Sequence, residues 1–186
     1  MSNVFFISDT HWGHANILNF KRDDGTPLRD FKSVEEMDET MIDNWNKVVR
    51  ANDVIYHLGD LSFGKNLNFL ERLKGKKRLV RGNHDGHKLK FYAMYFDEVY
   101  GARHLQKCWL THIPIHSDSI KYGHLNLHGH LHAGEVKKLV YPPLGFYLDH
   151  PNEIVDRRYF NCSVERINYT PIAVEEVRKI TGIHIL

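Results

Sequence analysis

The sequence predicts an α/β fold whose functional site lies at the carboxyl ends of its strands, and three observations carry that prediction. Apolar runs alternate with helical patterns through the first half of the chain, the order of a parallel sheet with crossover helices. Five of the apolar runs pass directly into a polar cluster: "SDTH", "LGD", "GNHD", "LTH" and "HGHLH". Histidine, with fourteen copies against two cysteines, exceeds what a packed core requires, and imidazole ligates metals and carries protons near neutral pH.

The elements follow in chain order. "NVFFIS" (3–8) is a β-rich apolar run that stops at "DTHWGHAN", a polar loop containing Gly13. Residues 33–49 predict a helix, because Ser33 and Glu36 form a capping-box pattern and Val34, Met37, Met41, Trp45 and Val48 recur as one apolar stripe for the core. "DVIYHL" (53–58) is a second buried strand running into "GDLSFG"; "NLNFLERL" (66–73) is a short helix; "KRLVR" (77–81) is a third strand entering "GNHDGH". Beyond residue 98 the character changes to strands joined by short loops: "EVYGARHLQKCWLTH", "LNLHGHLH" and "RYFNCSVERI". Thr170 and Pro171 read as N-cap and first-turn proline of a closing helix over 171–181. Residues 142–153 are the most irregular stretch and predict a surface loop near the site.

At 186 residues the chain accommodates one domain, 1–186, with a single sizeable core. Its 42% hydrophobic and 26% charged residues exclude collagen-like and disordered classes. No apolar run is long enough to span a bilayer, and the first residues lack the pattern of an export signal, so a cytoplasmic protein is expected. Cys108 and Cys162 lie in apolar runs and predict neither a disulfide nor a thiolate metal site. A net charge of +2 is too small for a nucleic-acid-binding surface, and the basic stretches 74–78 and 157–158 read as solvated faces.

Polar clusters at several strand ends converge on one edge of a sheet, the crevice where open α/β sheets keep their sites. Asp9, His11, Asp60, Asn83, His112, His130 and His132 supply only oxygen and imidazole donors, a set suited to Mn, Fe, Zn or related divalent ions. Seven ligands exceed what one ion takes while keeping an open position, so two ions are the economical expectation. Two dications, less the carboxylates of Asp9 and Asp60 and one hydroxide, leave a surplus of about one positive charge that a phosphate ester would neutralise. On a strand, alternation would place His130 and His132 on one face, together with His128.

"DTH", "GD", "GNHD", "H" and "GHLH", in this order, resemble the five sequence blocks of the calcineurin-like metallophosphoesterase superfamily, and "ISDTHWGHANI" with "THIPI" is similar to its small bacterial and phage-encoded members. The resemblance implies a four-layer α/β/β/α sandwich. It implies that Asp9, His11 and His132 bind one metal, that Asn83, His112 and His130 bind the other, and that Asp60 bridges them. By the same resemblance, His84 contacts substrate and protonates the leaving oxygen, with Asp85 holding its ring. Physical chemistry supports the pairing independently, since a carboxylate on one imidazole nitrogen fixes the tautomer.

Around this set, His14 either contacts substrate phosphate or makes a structural hydrogen bond, His116 is placed to line the pocket, and Arg81 and Arg103 offer guanidinium clamps for phosphate. His57, inside a buried run, reads as a satisfied core histidine, and Gly82 lets the chain turn tightly off its strand. The expected activity is a two-metal phosphoesterase using Mn²⁺, with Fe, Zn, Ni or Co as alternatives. Its expected substrate is a small or nucleotide-like phosphodiester. A phosphomonoester, phosphoprotein or pyrophosphate substrate and a non-catalytic scaffold are the competing readings. Oligomeric state is not legible.

Overall fold

The computed structural model of the chain describes residues 2–64, 67–141 and 151–185. In chain order the elements are β1 (Val4–Ile7), α1 (Val34–Val48), β2 (Val54–His57), β3 (Lys76–Val80), the one-turn helix α2 (Leu89–Tyr92), β4 (Glu98–Tyr100), β5 (Arg103–Leu105), β6 (Cys108–Leu110), β7 (Leu125–His128), β8 (Lys137–Val140), β9 (Asn152–Val155), β10 (Tyr159–Asn161), β11 (Ile172–Ala173) and α3 (Val174–Thr181). The first sheet has the order β11-β1-β2-β3-β4, the second β10-β7-β6-β5, and β8 and β9 form a separate hairpin. Strands β1 to β4 run parallel, as do β6, β7 and β10, so their carboxyl ends gather on common edges.

Side-chain alternation divides the first sheet between two apolar clusters. Phe5, Ile7, Ile55 and Leu79 face α1, where the stripe of Met37, Met41 and Trp45 packs against them. Phe6, Tyr56 and Val80 point the other way and meet Cys108, Leu110, Leu125 and Leu127 of the second sheet. Both cysteines are free and buried there, and burial pushes the Cys108 thiol up to about 12. The far face of the second sheet is covered near Asn126 and Tyr159 by the segment around Ile115, which accepts from the Tyr159 hydroxyl through its carbonyl and donates from its amide to the Asn126 side chain. That segment leads into a 3₁₀ turn at Ser117–Ser119. Among the described residues, no helix is long and apolar enough to cross a membrane.

Ser33 caps α1 as its sequence predicts, accepting from the Glu36 amide at 3.1 Å. Other boundaries differ. Ile172 and Ala173 form β11, pairing antiparallel with β1, and α3 starts only at Val174, so Thr170–Pro171 is not its cap. The backbone groups along the open edge of β1 need partners, and that demand overrides the local helix signal. The chain leaves α3 through Gly182, which takes the left-handed φ of 72° that glycine adopts at low cost. The expected helix over 66–73 is a 3₁₀ turn, Asn68–Arg72. Only Tyr159–Asn161 of the 158–167 run is a strand; beyond it Ser163 forms a single bridge with Ser8. Of the expected irregular loop at 142–153, residues 142–150 lie outside those described, whereas Asn152 and Glu153 open strand β9.

His57 is the satisfied core histidine its context suggested. Its Nδ1 accepts from the Gly59 amide, which leaves the proton on Nε2 to be donated to Thr10 Oγ1 at 2.8 Å. The Thr10 hydroxyl passes the chain on to the Leu61 carbonyl. Burial, with His112 second, pushes the His57 pKa down to about 3. The unfolded chain takes up this proton near pH 6.5, whereas the native state stays neutral. Stability that His57 contributes is therefore complete above pH 6.5 and is lost as pH falls toward 3, at about 1.4 kcal/mol per pH unit inside that window. His57→Gln is expected to flatten this part of the curve, checked by urea midpoints of both proteins across it.

Candidate metal centre

Five ligand residues expected from the sequence adopt a backbone that non-glycine residues rarely use: Asp9 (φ 56°), His11 (50°), Asp60 (54°), His130 (70°) and His132 (50°). Each such residue costs of order 1–3 kcal/mol and persists only where the surroundings over-determine it, a pattern that clusters at functional sites. This backbone corrects the expected strand alternation of the histidines. Strand β7 ends at His128, and His130 and His132 sit in the turn beyond it, brought together by left-handed residues rather than by a pleat.

The loops lock to one another through their backbones. The Asp9 amide donates to Gly59 O and the His11 amide to Asp60 O, joining the ends of β1 and β2. The Asp9 carboxylate accepts the His130 amide and the Ser163 hydroxyl, and the Asp60 carboxylate accepts the His84 amide at 2.8 Å. Two glycines permit this closeness. A Cβ on Gly82 would stand 2.2 Å from Asp60 Oδ1, and one on Gly129 would stand 2.3 Å from Asp9 Oδ2. Gly82, which has no positive φ, stands at the tight turn its position suggested and is required there for close approach to Asp60.

Two groups result. Ligand atoms of Asp9, His11 and His132 lie within 4.8 Å of one another, and so do those of Asp60, His112 and His130. The donor chemistry fits a cation in each. Both ring nitrogens of His11 are buried without a hydrogen-bond partner, although Nε2 lies 3.9 Å from Asp9 Oδ1 and 3.7 Å from Asp60 Oδ2. Burial, followed by the charge of Arg29, pushes the His11 pKa down to about 3, so proton uptake is not the partner. In the second group His112 Nδ1 bonds the Leu58 carbonyl at 2.9 Å and so carries a proton. Its Nε2 faces Asn83 Oδ1 at 2.9 Å and Asp60 Oδ2 at 3.3 Å. Against the opposing effect of burial, Asp60 and Asp9 raise the His112 pKa, so the ring favours a proton on Nε2 when no ion is bound, and a cation held there would take that proton's place between His112, Asn83 and Asp60.

His132 Nδ1 meets Glu165 Oε1 at 3.0 Å, which leaves Nε2 as the ring nitrogen free to ligate, and the His11 ring stacks 5.2 Å away. Glu165 is sealed from solvent and accepts at 2.7 Å from the equally buried Arg29. Arg29 also donates to the carbonyls of Asp9 and Thr10. A carboxylate behind a ligating histidine fixes its tautomer and raises its basicity. Neither Arg29 nor Glu165 is marked by a motif; their one sequence signal is a charge set among apolar neighbours, in "LRDF" and "SVERI".

The other expected site residues divide. His84 is exposed at the rim, its ring 5.8 Å from that of His11. Asp85 does not hold that ring. Its buried carboxylate accepts the backbone amides of Asp60, Leu61 and Gly82 at 3.0, 3.0 and 2.7 Å, because amides at two crowded strand ends need an acceptor there. Arg81 donates to the Asp85 carbonyl and lies over the Tyr92 ring, and Arg103 lies over Tyr100; both are engaged away from the two groups. His116 points outward, 77% exposed, and caps its own 3₁₀ turn, so it does not line the pocket. His14 stacks on Phe63 at 3.8 Å. His128 is buried, with Nδ1 bonded to the Gly129 carbonyl.

Replacing Glu165 by alanine is expected to leave Arg29 as an uncompensated buried cation, lowering stability by about 3–5 kcal/mol in urea unfolding of the metal-free protein. The milder Glu165→Gln is expected to weaken metal retention at the Asp9 group by about 10–100-fold, read as the metal-to-protein ratio after dialysis against a metal buffer.

Comparison with known proteins agrees with this geometry. Residues 2–172 match the calcineurin-like phosphoesterase family. An uncharacterized protein of Methanocaldococcus jannaschii, MJ1445, is 36% identical over 185 residues, covering 97% of this chain and 92% of that protein. The gene 66 protein of Mycobacterium phage L5 is 34% identical over 134 residues, 64% of this chain and 58% of the phage protein. Among solved structures, the crystal structure of AQ665 from Aquifex aeolicus, a protein of unknown function, has a TM-score of 0.68 at 28% identity, covering 97% of this chain and 100% of that one. With paired metal-competent groups at its strand ends and a family match over nearly its whole length, this chain belongs to the calcineurin-like phosphoesterases.

Proposed function

We propose that the protein is a cytoplasmic phosphodiesterase acting on a small or nucleotide-like phosphodiester, with Mn²⁺ as the preferred ion at both positions. The observation that carries the reading is an exposed imidazole, His84, at the rim of two adjoining groups that can each hold a divalent ion. Asp9, His11 and His132 would hold one ion and Asn83, His112 and His130 the other, with Asp60 between them. Ions bound there would neutralise phosphate charge and lower the pKa of water.

The remaining work falls to the chain. His84 reaches the leaving oxygen from the solvent side and gives it a proton, which an alkoxide leaving from a diester requires. The Asp60 carboxylate accepts the His84 amide, so the backbone of the proton donor is tied to the metal-competent groups. Asp85 holds the ends of β2 and β3 at fixed separation. Arg29 and Glu165 fix the orientation of His132. An open cavity of about 770 Å³ borders His132, with Phe20, Lys21, Arg22 and Leu131 among its walls, a size that suits a small ester.

Metal analysis of the purified protein and assays on bis(4-nitrophenyl) phosphate and 4-nitrophenyl phosphate test the reading. Faster turnover of the diester with Mn²⁺, abolished by EDTA and restored by metal, is expected; a preference for the monoester would favour a phosphatase. His84→Ala is expected to keep its metal content while losing about 10²–10⁴-fold in kcat on a diester with an alkyl leaving group. The loss on the nitrophenyl ester should be much smaller, because nitrophenolate leaves without an acid. Equal losses on both esters would remove His84 from the proton-donor role.

A further inference from the structure

Phe63 is half exposed, at 49%, at the rim of the metal centre, where a large apolar ring gains nothing from water. The ring is held in place. Its amide donates to the Trp12 carbonyl at 3.0 Å, and one of its faces lies against the His14 imidazole at 3.8 Å with an interplanar angle of 10°. The loop carrying His14 is pinned in turn, since the Gly13 amide donates to the Asp38 carboxylate. Phe20, 48% exposed, meets the His14 ring edge-on at 5.9 Å and extends the aromatic surface outward. On the inner side the Phe63 ring lies 5.6 Å from His11 and 5.2 Å from His84. An apolar ring fixed between a metal-competent group and an exposed imidazole is a surface oriented toward a ligand.

We infer that Phe63, backed by His14, is a stacking platform for a planar aromatic group of the nucleobase type, carried by the leaving alcohol of the substrate. The inference rests on the phosphoester reading of the centre and narrows its substrate class. The side is set by His84: the imidazole proposed to protonate the leaving oxygen stands beside Phe63, so whatever lies on Phe63 departs with that oxygen. Stacking suits this position, because every base presents a π-face and none of the surrounding side chains has to read its edge.

The test measures binding rather than turnover. Affinities of the Mn²⁺-loaded protein are compared for the phosphonate analogues of adenosine 5′-phosphate and of ribose 5-phosphate, which share the charged group, resist hydrolysis and differ only in the base. The wild type is expected to bind the base-bearing analogue about 10–100-fold more tightly. In Phe63→Ala the ratio of the two affinities should fall close to one. Phe63→Trp should keep the ratio, whereas Phe63→Leu, apolar but not planar, should lose most of it. Equal affinities in the wild type, no affinity for either analogue, or a ratio unchanged in Phe63→Ala would overturn the platform. Hydrolysis of bis(4-nitrophenyl) phosphate without base selectivity would sink the platform alone. Base-selective binding through Phe63 without any ester hydrolysis would leave the platform standing and sink the diesterase reading.

Discussion

A guanidinium sealed from water has to place its N–H groups on the protein, and Arg29 places them on the carbonyls of Asp9 and Thr10 and on the carboxylate of Glu165. That set of bonds joins the loop after β1 to the segment after β10, two stretches more than a hundred residues apart in sequence. The Arg29 bond to the Asp9 carbonyl is one of the contacts that hold the Asp9 backbone at its positive φ, and the Glu165 carboxylate it pairs with stands behind His132. Breaking a buried ion pair exposes the full desolvation cost of the surviving charge, so the arrangement is stable only as a whole. The metal-competent groups are the visible end of this buried charge network.

Strain and rigidity are coupled in the same region. Ligand residues in left-handed conformations hold their side chains where an extended strand would not send them. The cost is offset outside the site, by the sandwiched apolar clusters and by carboxylates that collect backbone amides, with Asp85 the clearest case. Such preorganisation matters for a cation: donors that already converge, as around His112 Nε2, need little rearrangement to surround it. It also explains why the glycines of "GNHD" and "GH" recur with the ligands, since each stands where a methyl group would collide with a carboxylate.

Most of the site was legible because its ligands are attached to strand ends, and strand ends are marked in sequence by the abrupt change from apolar to polar residues. Helix α1 was legible for a similar reason, its cap and stripe being local signals. What escaped was set by distance in sequence. Glu165 and Arg29 meet only in the folded chain, and nothing near either residue announces the other. The role of Asp85 is not legible locally, because His84 is its neighbour in sequence whereas its partners Asp60 and Leu61 lie in the loop after β2. The start of α3 is not legible locally, because the edge of β1, distant in sequence, claims Ile172 and Ala173 as strand β11.

The contact between glycine-bearing loops has a steric consequence. With the ends of β1, β2, β3 and β7 touching through backbone and carboxylate atoms, the inner wall of the centre leaves no room for even a methyl group at Gly82 or Gly129. On the outer side the side chains of His84 and Phe63 stand exposed, although the His84 amide is tied to Asp60 and the Phe63 ring is backed by His14. The centre is therefore closed and crowded where it would meet an ion and open to solvent where it would meet an organic group. One cleft thus presents two surfaces divided by depth, carboxylates and imidazoles within and aromatic rings at its mouth.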